Sequence, residues 1–428
     1  MSARHEGVRA GAATLINPPL ALYVHFPWCV RKCPYCDFNS YTLNGELAQE
    51  PYLQRLLRDI EAQAPEVTGR EVASVFLGGG TPSLFSPDAI GRVLQGARRH
   101  LKLAADVEVT LEANPGTIER GRFTEYRAAG VTRVSLGAQT FDAAILKALG
   151  RIHSPDETRL AATELHAAGL TNFNLDLMYA LPGQDLAGAG RDIAAALALE
   201  PAHVSHYQLT LEPGTVFAAR PPPLPDEDAA AVMLSACGER LESAGFAQYE
   251  VSAYARPGRQ CRHNLNYWNF GDYLGVGAGA HGKLTFADRG HIVRTVQARE
   301  PRRYLAAPDA ALTRYVLAAE QLPFEFMLNA LRLAGGFTQR SFTERTGLEW
   351  GAIGAPIAAL RERGLMEVTA TACRASTLGL RFLNDLLLEF MPETSKMPGS
   401  SALSMTAREP GQGASAPLYT GLHGPNAE

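Results

Sequence analysis

The chain has 428 residues, 46% of them hydrophobic and 20% charged, the balance of a globular protein with ample core rather than a disordered one. Lys and Arg number 40 against 44 Asp and Glu, so the net charge of −4 offers no chain-wide basic footprint for nucleic acid. Six cysteines are too few for a disulfide scaffold, yet three of them fall within the short stretch Cys29 to Cys36.

Residues 1–20 carry charges but no apolar stretch ahead of Pro18-Pro19, so they read as an irregular leader without a secretory signal. No apolar run approaches the roughly 18–20 residues that span a bilayer. Closely spaced thiols without an export signal point to the reducing cytoplasm. Six short runs rich in β-branched and aromatic residues follow: Ala21–Phe26, Ala73–Leu77, Val107–Leu111, Val131–Leu136, Asn172–Met178 and Val204–Leu209. Amphipathic stretches lie between them, with helix starts at Ser86-Pro87-Asp88 and at Ser154-Pro155-Asp156-Glu157, a capping box with proline at the first helical position. Gly130 and Gly169 stand where helices need a left-handed residue to stop.

Strands alternating with helices predict an α/β fold with a parallel sheet. Each apolar run ends in a polar or glycine cluster: the Cys29 loop, Gly78-Gly79-Gly80-Thr81, Glu112 with Asn114, Gln139, Asp176, and Gln208. Functional groups spread over the C-terminal ends of many strands suit a barrel better than an open sheet, which gathers them at one switch point. The expectation is a partial six-stranded (β/α)6 TIM-like barrel over residues 21–298, with FAQYEVSAYA as a further strand and 275–282 as a glycine-rich loop. Residues 299–390 read as a small C-terminal helical domain, winged-helix-like at 338–364. Its second helix offers only Arg361 and Arg363, so a structural or docking module is expected rather than a nucleic-acid binder. Residues 391–428, rich in Gly, Pro and Ser, read as a disordered tail.

Cys29, Cys33 and Cys36 have the spacing Cys-x3-Cys-x2-Cys. Three thiolates on one tight loop can ligate three irons of a [4Fe–4S] cluster and leave the fourth iron open to a cofactor or substrate. The same thiols could instead hold zinc as a Cys3His site, with His25 or a distant histidine as fourth ligand.

This loop, with Tyr35 just before its third cysteine, resembles the radical S-adenosylmethionine (SAM) superfamily. LYVHFPWC, CPYCDFNSY, FLGGGTPS, LEANPGT, SLGAQTF, NLDLMYALPGQ and HNLNYW together resemble the HemW-type haem chaperones, relatives of the HemN-type oxygen-independent coproporphyrinogen III oxidases, from about residue 21 to 390. The resemblance implies that the open iron chelates SAM and that an electron from the cluster cleaves its sulfonium to a 5′-deoxyadenosyl radical. It also implies SAM contacts from Tyr23, Tyr35, Gly79, Gly80, Thr81, Glu112, Gln139, Arg151 and Asp176. Carboxylates can accept from ribose hydroxyls, and Arg151 can pair with the SAM carboxylate.

His263-Asn264-Leu265-Asn266-Tyr267-Trp268 matches the HNxxYW signature of the haem chaperones, which makes His263 the candidate haem ligand, with His25 and His281 as competitors. Cys261 is close enough to His263 to belong with it, Cys237 reads as core, and Cys373 has no reading. The oxidases carry a fourth cysteine two residues after the third, where this chain has Phe38, and a longer N-terminal extension. Both departures argue against decarboxylation of coproporphyrinogen. The resemblance therefore implies haem, a [4Fe–4S] cluster and SAM as cofactors, an electron donor for the cluster, and a respiratory or membrane-associated haem acceptor. The alternatives are the oxidase activity itself and a zinc-binding helix-turn-helix regulator.

Overall fold

The computed structural model describes residues 14–116, 121–308 and 312–392. The six expected runs form parallel strands: β1 (Leu20–Phe26), β2 (Glu71–Gly79), β3 (Lys102–Ala113), β4 (Arg133–Gln139), β5 (Phe173–Tyr179) and β6 (His203–Gln208). They lie side by side in chain order. Right-handed crossovers that always add the next strand on the same edge put every connecting helix on one face. The order never reverses among these six, so the sheet has the course of a barrel wall and lacks the switch point of a doubly wound sheet.

The connections include α1 (Gln49–Gln63), α2 (Pro87–His100), α3 (Phe123–Ala129), α4 (Pro155–Ala167) and α5 (Leu186–Leu197). Local chemistry sets their ends. Ser86 Oγ accepts from Ala89 N at 3.2 Å, and Ser154 and Glu157 close the capping box. Helix α3 stops at Gly130, whose φ of 113° a side chain would strain. Strand alternation sorts the two faces of β1. Leu20, Leu22, Val24 and Phe26 join the large core beside Leu56, Ile60 and Ile90 of the helices. Ala21 and Tyr23 belong instead to a smaller cluster with Phe76, Tyr267 and Trp268. Each fully buried large apolar side chain contributes roughly 1.5–3 kcal/mol, so the outer layer far outweighs the caps.

The sheet runs further than expected. FAQYEVSAYA is a hairpin, β7 (Ala247–Glu250) and β8 (Ala253–Ala255), not one strand; Glu250 Oε1 accepts from Ser252 N at 3.1 Å and Oγ at 2.9 Å across the turn. On the far side β9 (Asp272–Val276) lies parallel to β1, followed by the antiparallel β10 (His281–Phe286), β11 (His291–Val296) and β12 (Thr313–Val316). The expected glycine loop shrinks to residues 277–280. Gly275 lies inside β9, where a Cβ would sit 1.9 Å from the His281 carbonyl oxygen, so glycine there serves strand approach.

Residues 299–308 and 312–316 also pack with the barrel rather than with the helical part. Tyr304 buries against α1 and donates to Asp59 Oδ2 at 2.5 Å, and β12 pairs with β11. A second core, built around Phe326, Phe342, Ile353 and Leu360, takes over from Leu317 onward. Helices Leu322–Ala330, Gln339–Thr346 and Gly351–Glu362 precede the short hairpin Met366–Val368/Cys373–Ala375, a winged-helix arrangement. The leader is described only from residue 14, where Ile16 N donates to Glu344 O at 2.9 Å. The expected tail lies outside the described residues from 393 on. Among the described residues no helix is long and apolar enough to cross a membrane.

Candidate functional site

The C-terminal ends of β1 to β6 surround one cavity, and nearly all the singled-out residues line it. The cysteine loop forms its rim. Trp28–Cys29 pairs with Tyr41–Thr42, Leu43 N donates to Cys29 O at 2.8 Å, and Cys36 N donates to Cys33 O at 3.1 Å. Lys32 Nζ staples the loop by donating to the Phe38 and Ser40 carbonyls, each at 3.0 Å. All three cysteines are half-buried and outside any disulfide. Burial pushes the Cys29 thiol up and the Cys36 thiol up to about 11, so a soft cation arriving at the loop must displace their protons.

The glycine run docks under this loop. A Cβ on Gly79 would fall 2.5 Å from the His25 ring, and one on Gly80 would fall 2.7 Å from the Trp28 carbonyl oxygen. Gly79 N donates to Glu112 Oε2 at 2.9 Å, tying β2 to β3 at the cavity wall. Thr81 Oγ1 accepts from Asn114 at 3.0 Å. Asn114 in turn accepts from Arg151 Nη2 at 2.6 Å, and the same nitrogen donates to Gly137 O at 2.7 Å. Arg151 Nη1 reaches toward Cys33 Sγ at 3.8 Å. Gln139, with φ of 66°, turns its side-chain oxygen to accept from Tyr207 Oη at 2.8 Å.

Deeper in, Asp176 accepts from Ser135 Oγ at 3.0 Å and Asn174 Nδ2 at 2.7 Å. Burial, then the charge of Asp176, pushes the Glu112 carboxyl up to about 8, against the pull of the Gly79 amide. Burial also raises Asp176. The wall thus sets two carboxyl groups against two arginines, Arg133 and Arg151. Both arginines, together with Tyr267, Trp268 and Arg332, carry a buried polar atom with no partner: the three Nε atoms, Tyr267 Oη and Trp268 Nε1. Orphaned donors of both kinds along one wall are what a ligand with several polar groups would satisfy.

Three of the expected residues stand elsewhere. Tyr23 is fully buried beneath Phe76, its hydroxyl 2.7 Å from His25 Nδ1, and does not line the cavity. His25 has its other nitrogen 2.9 Å from the Asn39 carbonyl oxygen, so its imidazole faces Tyr23 and the backbone rather than the thiols. His281 opens β10 on the far side of β1 and is absent from the cavity lining.

His263 lies on α6 (Arg262–Trp268), 4% exposed. Its ring stacks on Phe76 at 4.1 Å, and its two nitrogens lie 3.0 and 3.3 Å from Cys261 Sγ. Glu108 Oε1, on β3 one strand period pair before Glu112, stands 3.6 Å from His263 Nδ1 and accepts from Arg262 N at 2.9 Å. Burial opposes the charge on Glu108, but His263, Arg133 and the Arg262 amide outweigh it and hold the carboxyl below its usual range. Burial pushes the Cys261 thiol up to about 12 and His263 down from its usual range, against the pull of Glu108.

The sequence reading passed over several wall residues. Arg133, Ser135, Asn174, Ser205 and Tyr207 are strand residues whose inward direction follows only from register. Asn114 was visible as a strand-end polar group. Arg332 comes from beyond the barrel, caps Trp268 with its guanidinium 4.4 Å from the ring, and pairs with Glu250 at 3.1 Å; no local motif announces it.

Residues 23–190 match the family model described as the radical SAM superfamily, and residues 317–382 match the HemN C-terminal domain. The chain is 48% identical over 376 residues to the protein named heme chaperone HemW of Escherichia coli, covering 88% of this chain and 99% of that one. It is 43% identical over 380 residues to the heme chaperone HemW of Haemophilus influenzae, with the same coverage. Among solved structures, the coproporphyrinogen III oxidase HemN of Escherichia coli superposes with a TM-score of 0.73 at 22% identity, over 87% of this chain and 90% of that one, a likeness of fold.

Proposed function

The chain belongs to the HemW family of haem chaperones within the radical SAM superfamily, and on that footing we propose that it binds a [4Fe–4S] cluster, SAM and haem and hands the haem to an acceptor protein. The observation that carries the reading is the single cavity in which three half-buried thiols at the rim face a wall of paired carboxyls and arginines. SAM is a zwitterion with an added sulfonium charge, and such a wall complements both signs.

Cys29, Cys33 and Cys36 would hold the cluster, whose chemistry when bound and reduced is to supply an electron to the SAM sulfonium. Arg151 is oriented by Asn114 and the Gly137 carbonyl, so one guanidinium edge is fixed and its unpartnered Nε is left for the SAM carboxylate. Glu112 and Asp176 would accept from ribose hydroxyls, Gly79, Gly80 and Thr81 would line the amino group, and Tyr35 and Gln139 would flank the adenosine. Tyr23 would act from behind, by fixing the His25 and Phe76 side chains rather than by touching SAM.

Haem would lie against the wall of α6, where Trp268 and Tyr267 offer flat apolar area and unpartnered donors beside Arg332. His263 would be the first histidine to hold the haem iron, with its imidazole turned away from Cys261. Phe38 in place of a fourth cysteine supports a chaperone over a decarboxylase. The setting is the cytoplasm, with an electron donor for the cluster and a respiratory or membrane-associated acceptor for the haem.

The test is anaerobic reconstitution of the cluster, followed by haemin titration beside a coproporphyrinogen assay. Stoichiometric haem binding without porphyrinogen formation is the expected result. Rapid protoporphyrinogen formation without haem binding would replace the chaperone reading with the oxidase one.

A further inference from the structure

We propose that Glu108, Cys261 and His263 form a zinc site behind the inner wall of the cavity, which His263 alone of the three lines, separate from the cysteine loop. The three come from two elements far apart in the chain, β3 and the entry to α6, yet their ligand atoms converge while fully buried. Cys261 Sγ stands 3.0 Å from His263 Nδ1 and 3.8 Å from Glu108 Oε1, and Nδ1 stands 3.6 Å from Oε1. A tetrahedral zinc with bonds of about 2.0–2.3 Å spaces its ligand atoms about 3.4–3.6 Å apart. The observed triangle brackets those edges; Sγ also lies 3.3 Å from Nε2, over the ring, so a turn of the imidazole that aims Nδ1 at the ion completes the fit.

The donor set has the right chemistry as well as the right size. Thiolate, imidazole and carboxylate are the three ligand types that zinc takes from proteins, and three protein ligands leave a fourth position for water. Binding displaces the Cys261 thiol proton to solvent, after which thiolate and carboxylate neutralise the divalent charge. Arg133 also faces the site, with Cys261 and Glu108 its foremost counter-charges and Asp176 a lesser one. The support around the ligands is already built: the Arg262 amide donates to Glu108 at 2.9 Å, Arg262 is anchored on Asp106 at 2.9 Å, and Phe76 stacks on the imidazole. A metal held here keeps the His263 imidazole on Cys261, so haem ligation through His263 requires this site to be empty. The inference does not depend on haem binding.

The full chain, reconstituted anaerobically with iron and sulfide, is given a small excess of Zn2+ and desalted; its zinc is then counted and its zinc X-ray absorption recorded. One zinc per chain is expected, with a single sulfur at about 2.3 Å and the remaining ligands nitrogen or oxygen at about 2.0–2.2 Å. That zinc should be lost in Cys261→Ser and in the isosteric Glu108→Gln, and kept when Cys29, Cys33 and Cys36 are all replaced by Ser. Two variants guard against one that fails to fold, and circular dichroism identifies such a case. Absence of zinc from the native chain, more than one sulfur around it, or retention in both Cys261→Ser and Glu108→Gln would overturn the site and leave the three groups as a hydrogen-bonded cluster.

Discussion

Two groups of cysteine chemistry, one on the rim of the cavity and one behind its inner wall, are built in opposite ways. At the rim, Cys29, Cys33 and Cys36 are half-buried, and their positions come from backbone hydrogen bonds and the Lys32 staple, not from strong side-chain partners of their own. At the inner end, Cys261 is fully buried and already meets an imidazole and a carboxylate at short range. The contrast shows that residue type alone does not say what a thiol does. An accessible loop fixed through its backbone can present several sulfurs to a large inorganic group. A buried trio of different donors is matched to one small ion, or satisfies itself.

The largest effect that would sharpen this comparison is at the rim. Replacing Cys29, Cys33 and Cys36 by Ala should abolish the reducible [4Fe–4S] electron paramagnetic resonance signal while circular dichroism stays unchanged; a surviving signal would put the cluster elsewhere. The inner end should respond through stability instead. Phe76→Ala removes the ring that stacks on His263 and packs on Tyr23, and should cost about 3 kcal/mol in chemical denaturation. A cost well under 1 kcal/mol would mean that the inner end is as loosely supported as the rim.

Between the two lies the charged wall. Arg151→Gln should weaken SAM binding about 10- to 100-fold by calorimetry, the loss of a charge-assisted hydrogen bond. Unchanged affinity would return Arg151 to a purely structural role as the partner of Asn114. The smallest effect is on pH dependence. Glu112, with its carboxyl pushed up to about 8, becomes the stronger, charge-assisted acceptor for a ribose hydroxyl once it sheds its proton. SAM affinity should therefore rise with pH toward about 8 and level off above it, by no more than about tenfold per pH unit. In Glu112→Gln that slope should flatten, and a slope that persists would assign it to another group.

How much of this was legible in the chain follows from range. The six parallel strands, the caps at Ser86 and Ser154, and the stops at Gly130 and Gly169 depend on residues a few positions apart, so period and local chemistry sufficed. The hairpin at 247–255 escaped because FAQYEVSAYA is continuously strand-like and only the Glu250–Ser252 contacts break it. The loop at 275–282 misled because Gly275 and Gly282 serve close strand approach, which looks the same as a loop in composition. Tyr304 and β12 read as part of the helical segment in the sequence because their attachment to α1 and β11 is a tertiary contact with no local mark.

The site divides along the same line. The Cys-x3-Cys-x2-Cys spacing by itself determined that one tight loop carries three thiols, since neighbours on a short loop cannot be far apart in space. The polar residue closing each strand determined, through strand polarity, that these groups would share one end of a parallel barrel. Which of them actually face the cavity was decided only in three dimensions. Tyr23 falls behind Phe76 because alternate residues of a strand point to opposite sides and the inner side here is filled by α6. Arg332 arrives from another part of the chain to cap Trp268. Glu108 meets Cys261 and His263 across more than 150 positions because Arg262 ties the start of α6 to β3, and no spacing in the sequence encodes that encounter.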